Sequence, residues 1–445
     1  MPLKKNQTLQ QYNWREQYRN KLCSAEEAAA LVEDHDVIAM AGGSCVPEAF
    51  SCALTRRGKE LHDVTLLVGF ALQQYDFMRP AYRDHFTIET VFVGPMERAC
   101  IKQGITTYVP IHLQQLGQWL DARQPNIVAN AVTPPDENGY MSRSLYAGLS
   151  HRRAFEQADT VIVEVNSNLP YLNGDDLKIH VSEVDYIIEN DFPLVEVQDI
   201  SIRATEKTIA GYISEMIPDG ATIQLGLGGL ANAIGYFLRD KKDLGVHAEV
   251  VSNSIMELMK LGVVNGARKN FLPGKVLGCY CVGNQELWDF VDHNDDFVFA
   301  EVEYVNDPAI IARNDHFISI NNTLNVDLTG QAASESIGTQ QYSGTGGQVN
   351  FVHGATQSRG GKSILALNST YKDKKGQLHS RIVPTLAPGT IVTTSRCDVQ
   401  YVVTEYGVAD LRWKSIADRV RSLIKIAHPD FRDELCFQAR KLGWI

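Results

Sequence analysis

The segment ATIQLGLGGLANAIGYFLRD, residues 221–240, passes from a short apolar run through a glycine-rich turn into a helical pattern. We predict a strand over ATIQLG, a turn at LGG and a helix through LANAIGYFLRD. Another helix is predicted directly upstream, through EKTIAGYISEMI (206–217), and a PDG turn separates it from the strand. Helices that alternate with short strands bounded by glycine are typical of an α/β fold with parallel sheets.

The first half of the chain shows the same order of elements. Ser24 and Glu27 have the spacing of a capping box and predict the start of a helix through AEEAAALVEDH. The run DVIAMAGG (36–43) then predicts a buried strand that ends in a glycine turn. This repetition predicts two similar open-sheet α/β domains, residues 1–200 and 201–445.

Composition and charge limit the class of protein. The chain has 445 residues, of which 44% are apolar and 21% charged, as expected for a globular protein long enough for two cores. A formal net charge of −11 argues against a nucleic-acid partner, which requires a basic face. The start MPLKKNQTLQQYNW is polar, and no apolar run approaches the roughly 20 residues that span a bilayer. We therefore expect a cytoplasmic protein with no signal peptide and no membrane partner.

Cysteine and histidine spacings do not predict a metal site. The eight cysteines are scattered apart from the CxC pair Cys279 and Cys281, and the 12 histidines form no HxxxH pattern. We expect reduced thiols and no bound metal.

The glycine turn is the first candidate for chemistry. Gly226, Gly228 and Ala231 satisfy G-x-G-x-x-A, a pattern that lets backbone N–H groups approach an anion at a helix N-terminus. Glu249 follows about 20 residues later, at the end of a predicted strand, where a dehydrogenase would bind a ribose hydroxyl. The residues alone leave Glu249 open to three interpretations: a ribose ligand in an NAD-dependent dehydrogenase, a nucleophile, or a solvated carboxylate at a strand end.

Several longer motifs are similar to those of the acetyl-CoA hydrolase/transferase family, which includes 4-hydroxybutyrate and butyrate CoA-transferases. They occur in the family's order along nearly the whole chain: TPPDENGY (133–140), IHVSEVDYIIEND (179–191), GLGGLANAI (226–234), GVHAE (245–249), NVDLTGQ (325–331), GTGGQVNFVHGA (344–355), SRGGKS (358–363) and VVTEYGVADLR (402–412). The resemblance implies a CoA-transferase fold with the active site between two α/β domains.

The resemblance also implies a reaction. The glutamate that matches Glu249 is the family's nucleophile, and it forms a glutamyl-CoA thioester during ping-pong transfer of CoA. The implied substrates are a short-chain acyl-CoA and a carboxylic acid of the butyrate, 4-hydroxybutyrate, acetate, succinate or itaconate class. Coenzyme A is then a substrate, no cofactor is bound permanently, and a homodimer or homotetramer is expected. An acyl-CoA hydrolase on the same scaffold remains an alternative, and an NAD-dependent dehydrogenase is a second.

Candidate CoA-binding residues either lie in glycine-rich turns or resemble family positions near CoA. They are Gly226, Leu227, Gly228, Gly229, Leu230, Asn321, Gly346, Gly347, Val349 and Lys362. We expect amides near Leu227 and Gly228, and in 346–349, to stabilise an oxyanion, and the ammonium of Lys362 to meet a CoA phosphate. His247 is expected to be a packed, hydrogen-bonded histidine rather than a group that tunes Glu249.

Overall fold

The computed structural model describes residues 13–445. The first 12 residues lie outside this range. They include most of the polar start on which the prediction of no signal peptide rests. Between residues 13 and 445, no helix is long and apolar enough to cross a membrane. Nor does this part of the chain contain a group of three or more His, Cys, Asp or Glu side chains that could hold a metal ion.

The first half forms a sheet of seven parallel strands, here called the first sheet. In spatial order the strands are Thr106–Tyr108, Phe86–Thr90, Val64–Leu67, Val37–Met40, Ile127–Val132, Thr160–Val165 and Tyr186–Glu189. Strand order reverses between Val37–Met40 and Ile127–Val132. In open α/β sheets such a reversal opens a crevice at the carboxyl ends of the strands, where ligands bind.

The second half forms a sheet of six strands, here called the second sheet. Its order is Gly245–Val246, Thr222–Gln224, Phe317–Asn322, Lys362–Ala366, Tyr401–Thr404 and Gly407–Asp410. Only the pairing of the last two strands is antiparallel. The strand, glycine turn and helix predicted for residues 221–240 are confirmed, since Thr222–Gln224 is followed by a helix from Gly229 to Phe237.

Fifteen α-helices connect or cover the strands within residues 13–445. They are α1 Trp14–Lys21, α2 Ala25–Ala29, α3 Glu48–Arg57, α4 Pro95–Lys102, α5 Leu116–Arg123, α6 Arg152–Gln157, α7 Ala204–Met216, α8 Gly229–Phe237, α9 Asn253–Lys260, α10 Gln285–Val291, α11 Val302–Val305, α12 Pro308–Ile311, α13 Gln348–Gln357, α14 Ile416–Ile426 and α15 Pro429–Lys441. The capping box predicted at Ser24 and Glu27 is present at the start of α2.

The remaining strands are short and lie outside the two large sheets. They are Tyr140–Ser142, Lys178–His180, Val250–Ser252, Val276–Gly278, Tyr280–Val282, Phe297–Phe299, Asn325–Asp327, Ala332–Ala333, Ser336–Ile337, Gln340–Gln341, Thr370–Lys372, Leu378–Ser380 and Ile382–Val383. Two of them, Val250–Ser252 and Tyr280–Val282, form a parallel pair that follows the second sheet's edge strand.

Apolar packing joins the two halves of the molecule. One buried cluster combines Ala131 and Leu145 from the first half with Ile223 and Ile318 from the second sheet. The boundary predicted at residue 200 falls in residues 190–203, which contain neither helix nor strand. The division into two domains remains a prediction, because the halves share this core.

A buried carboxylate stabilises the start of α3. Glu164, on the strand Thr160–Val165 of the first sheet, accepts hydrogen bonds from the backbone N–H groups of Ala49 and Phe50, each at 3.0 Å. It also accepts one from the Asn190 side chain at 2.8 Å. The N–H groups of Ala49 and Phe50 lie in the first turn of α3, where they have no partner within the helix. Glu164 therefore links α3 to the sheet.

We expect Glu164→Ala to reduce the free energy of unfolding by about 3 kcal/mol, because it leaves buried donors without an acceptor. Urea denaturation followed by circular dichroism measures the change. Glu26→Ala is the matched control, since Glu26 forms an exposed ion pair with Arg56 and its loss should cost less than about 1 kcal/mol. Equal effects of the two substitutions would contradict this role.

Candidate active site

Glu249 lies between the second sheet's edge strand and the strand Val250–Ser252. Its Oε2 accepts a hydrogen bond from Asn306 Nδ2 at 2.7 Å, and its Oε1 accepts one from the Tyr280 hydroxyl at 3.5 Å. Both partners are uncharged. Burial raises the pKa of Glu249, and the two hydrogen bonds partly offset this effect because they stabilise the charged form.

A glycine loop approaches this carboxylate closely. A Cβ atom on Gly347 would lie 2.0 Å from Glu249 Oε2 and 2.6 Å from Asn306 Nδ2, so a side chain cannot fit at this position. Gly346 adopts a φ of +56°, a conformation that favours glycine. Gly347 is the N-cap of α13, and Val349 lies buried in its first turn. Of the predicted residues, Gly347 contacts Glu249, Gly346 lines the same groove, and Val349 lies in the first turn of the helix that follows.

A polar groove extends from Glu249 along the glycine loop. It is lined by Phe92, Glu249, Asn321, Asn322, Thr323, Leu324, Ser334, Tyr342, Ser343, Gly344, Thr345, Gly346, Gly347 and Gln348. Asn321 and Asn322 lie at the carboxyl end of a central strand of the second sheet. This is the edge where ligands bind in parallel sheets.

The predicted turn at 226–230 reaches the same groove. Gly226 and Leu230 line a small cleft together with Asn321 and Asn322, which also line the groove beside Glu249. Asn321 exchanges hydrogen bonds with the side chain of Gln224, at 3.2 and 3.4 Å. The two asparagines thus connect the turn to the groove that contains Glu249.

The backbone of the turn favours glycine at Gly228, and Gly229 lies close to a side chain. Gly228 has a φ of +101° and is the N-cap of α8. A Cβ atom on Gly229 would lie 3.0 Å from the Glu206 carboxylate. Leu227 packs against an apolar cluster. Glycine at position 228 permits the positive φ, and glycine at position 229 leaves room for the Glu206 carboxylate.

Lys362 does not line the groove beside Glu249, and its contact with a CoA phosphate stays a prediction. It pairs with Ile318 at the start of its strand, whereas Asn322 pairs with Ala366 at the opposite end. Four residues of a parallel strand separate these ends by roughly 13 Å. The Lys362 ammonium instead donates a hydrogen bond to the Met216 carbonyl at 2.7 Å.

Two arginines that sequence reasoning missed lie farther along the groove. Arg203 and Arg381 line a space that shares Asn322 and Tyr342 with the groove beside Glu249. Arg381 donates to the Leu324 carbonyl at 2.9 Å, and its Nε has no hydrogen-bond partner. No local pattern could have identified these arginines, because Arg203 precedes α7 and Arg381 lies between two short strands near the end of the chain.

His247 has the packed role predicted for it. Its Nε2 donates to the Val305 carbonyl at 2.7 Å, and its Nδ1 accepts from Asn314 at 3.0 Å. Burial lowers the pKa of His247 to about 3, so the ring is neutral. Because Val305 precedes Asn306, the histidine fixes the segment that presents an amide to Glu249. Neither Asn306 nor Tyr280 was identified from the sequence, since both lie outside the recognised motifs.

Comparisons with known proteins agree with this architecture. Residues 5–197 match the family model of the acetyl-CoA hydrolase/transferase N-terminal domain, and residues 283–439 match that of its C-terminal domain. The chain is 40% identical to the 4-hydroxybutyrate coenzyme A transferase of Clostridium kluyveri, with 96% of this chain and 99% of the relative covered. It is also 40% identical to the butyryl-CoA:acetate CoA-transferase of Anaerostipes caccae, with coverage of 96% and 98%.

A solved structure has the same fold. RipA from Yersinia pestis superposes with a TM-score of 0.92 at 34% identity, covering 98% of this chain and all of that chain. The α/β fold class and the enzyme class predicted from the motifs, a CoA-transferase, are confirmed by these relatives, whereas a hydrolase is no better supported. The chain belongs to the acetyl-CoA hydrolase/transferase family.

Proposed function

We propose that this protein transfers CoA from a short-chain acyl-CoA to a carboxylic acid, with Glu249 as the nucleophile. The observation that carries the proposal is the position of the Glu249 carboxylate, which contacts the side-chain-free Gly347 at the start of α13 and opens onto the polar groove. The names of the two relatives indicate 4-hydroxybutyrate, butyrate and acetate as their substrates. Acids of this class, together with succinate and itaconate, are the acceptors to test.

The proposed reaction proceeds through covalent intermediates. The ionised Glu249 attacks the thioester carbonyl, the C–S bond breaks, and a mixed anhydride and CoA thiolate form. The thiolate then attacks the glutamyl carbonyl, which releases the first acid and leaves a glutamyl-CoA thioester. The second acid attacks this thioester, and the same steps in reverse produce the new acyl-CoA.

The surroundings of Glu249 suit a carboxylate nucleophile. Its partners are an amide and a phenol rather than a cation, so its charge is stabilised enough to ionise and remains available for attack. Each step passes through an oxyanion, and one well-placed donor stabilises such a transition state by roughly 3 to 4 kcal/mol. We assign this role to the backbone N–H groups of Gln348 and Val349 at the start of α13.

Coenzyme A fits along the groove in this proposal. Its thiol end lies beside Glu249, its pantetheine chain follows Asn321 and 322–324, and the turn at 226–230 forms part of the wall. Arg381 supplies positive charge for its phosphates, beside Arg203, which is paired with Glu206. No permanently bound cofactor takes part. The homodimer or homotetramer, the cytoplasmic location and the two-domain division remain predictions.

Glu249→Ala should reduce transferase activity by about 1,000-fold or more, because the covalent route is lost. Mass spectrometry of the wild-type protein after exposure to acyl-CoA and borohydride should find the modification on the Glu249 peptide. Glu257→Gln, which changes an exposed carboxylate of α9, is the control and should retain full activity. Substantial turnover by Glu249→Ala, or an unmodified Glu249 peptide, would contradict the proposal.

Without an acceptor acid, the protein should release free CoA about 100-fold more slowly than it transfers CoA when an acceptor is present. The reason is that a transferase must keep water from the glutamyl-CoA thioester. Steady-state assays with and without butyrate measure the two rates. Equal rates would identify an acyl-CoA hydrolase instead.

The acid limb of the pH profile should depend on Asn306. The pKa of Glu249 is raised, so kcat/KM should fall as pH decreases through a value above that of an ordinary glutamate. Asn306→Ala removes a donor that stabilises the charged form, and the acid limb should therefore move to higher pH by roughly one unit. Tyr280→Phe should shift it less, since that hydrogen bond is longer. An unchanged acid limb in Asn306→Ala would show that the amide does not set this pKa.

A further inference from the structure

A second, apolar space opens from Glu249 into the first half of the molecule. Phe92 and Glu249 line both this cavity and the polar groove, so the carboxylate stands at the junction of the two. Ala39 and Val128 of the first sheet form one wall, at the reversal of strand order, and Ala154 of α6 lies on another. Ala41, Gly69 and Phe92, which follow three strands of the first sheet, also line the cavity, so the carboxyl ends of these strands face the space that contains Glu249.

The cavity has room for a short chain. Its volume is about 70 Å³. A water molecule requires roughly 10–15 Å³, so the space accommodates about five atoms of that size. Leu116, Trp119, Leu120 and Phe155 contribute further apolar surface to its lining.

No lysine or arginine lines this cavity among residues 13–445. Its histidine, His151, accepts a hydrogen bond from the Arg153 backbone at Nδ1, so its proton is on Nε2. That nitrogen lies 3.3 Å from a Glu301 oxygen and 3.5 Å from a Glu303 oxygen. Burial lowers the pKa of His151, which favours the neutral ring.

The Arg143 guanidinium, which stacks on a lining residue, is already engaged. Arg143 stacks over the Phe155 ring, 5.2 Å from its centroid. It donates hydrogen bonds to the carbonyls of Ser150 and Asp176 and forms an ion pair with Glu301. Arg143 and, beside it, Arg153 are thus both paired with carboxylates.

We infer that this cavity receives the acyl chain and selects uncharged aliphatic acids of about four to six carbons over dicarboxylic acids. The inference rests on the proposed function, because it assumes that the acyl carbonyl meets Glu249. With CoA in the polar groove, the acyl chain extends from Glu249 in the other direction, into the cavity. A second carboxylate there would lose its hydration without gaining a cation, because the arginines behind the lining are already paired, Arg143 with Glu301 and Arg153 with Glu303.

Acceptor specificity tests this inference with the full-length protein and acetyl-CoA as donor. The kcat/KM for butyrate should exceed that for succinate, which has a carboxylate in place of the terminal methyl group, by about 100-fold. Monomethyl succinate, whose second carboxyl is an uncharged ester, should recover most of this loss. A preference for butyrate of less than tenfold, or an ester no better than succinate, would overturn the inference.

Filling the cavity should shorten the preferred acid. Ala154→Leu should lower the ratio of kcat/KM for butyrate to that for propionate by at least about tenfold. This ratio does not depend on the fraction of folded protein. Ala39→Val, on another wall of the cavity, adds a smaller side chain and should lower the ratio in the same direction. Ala158→Leu, at the end of α6 and outside the lining, is the control and should leave the ratio unchanged. An unaltered ratio in both cavity variants would place the acyl chain elsewhere.

The trapped intermediate separates the two proposals. If Glu249 carries CoA but succinate is used as well as butyrate, the acyl-chain inference fails and the transferase mechanism stands. If no acyl-CoA modifies Glu249, the mechanism itself fails.

Discussion

The contact between the Glu249 carboxylate and the backbone of Gly347 is the constraint on which the site depends. It brings a carboxylate from the edge of the second sheet to the N-terminus of α13, and it exists only because Gly347 has no Cβ atom. The loop that makes this approach also forms the groove wall, so one close contact positions both the nucleophile and the surface along which the thioester would lie.

Neutral groups hold this carboxylate in place. His247 anchors Val305, the next residue donates an amide to Glu249, and Tyr280 donates from the paired strand. A cation in their position would lower the pKa further and hold the charge in an ion pair. The buried, uncharged shell therefore leaves the carboxylate more basic than an exposed glutamate, which favours nucleophilic attack.

Sequence reasoning predicted what local patterns and family motifs encode. The strand, turn and helix around residues 221–240 follow from hydrophobic periodicity and glycine placement. The packed role of His247 was expected because it is commoner for a histidine than tuning a neighbouring carboxylate. The sequence did not show that Lys362 lies at the opposite end of its strand from Ala366, because a glycine-rich motif does not reveal which end of a strand it adjoins. Arg203 and Asn306 were missed because their contacts join residues far apart in the chain, and only the folded arrangement brings them to the groove and the carboxylate.

The junction at Glu249 has a consequence for metabolic flux. In the proposed exchange, CoA stays tethered to the protein while the departing and arriving acids occupy the same apolar chamber in turn. Because both acids use the same cavity, it selects them by their chain, whether the acid is released from the donor acyl-CoA or enters as the acceptor. The protein then acts as an equilibrator between two pools of thioesters, and the relative abundance of the acids decides which pool grows.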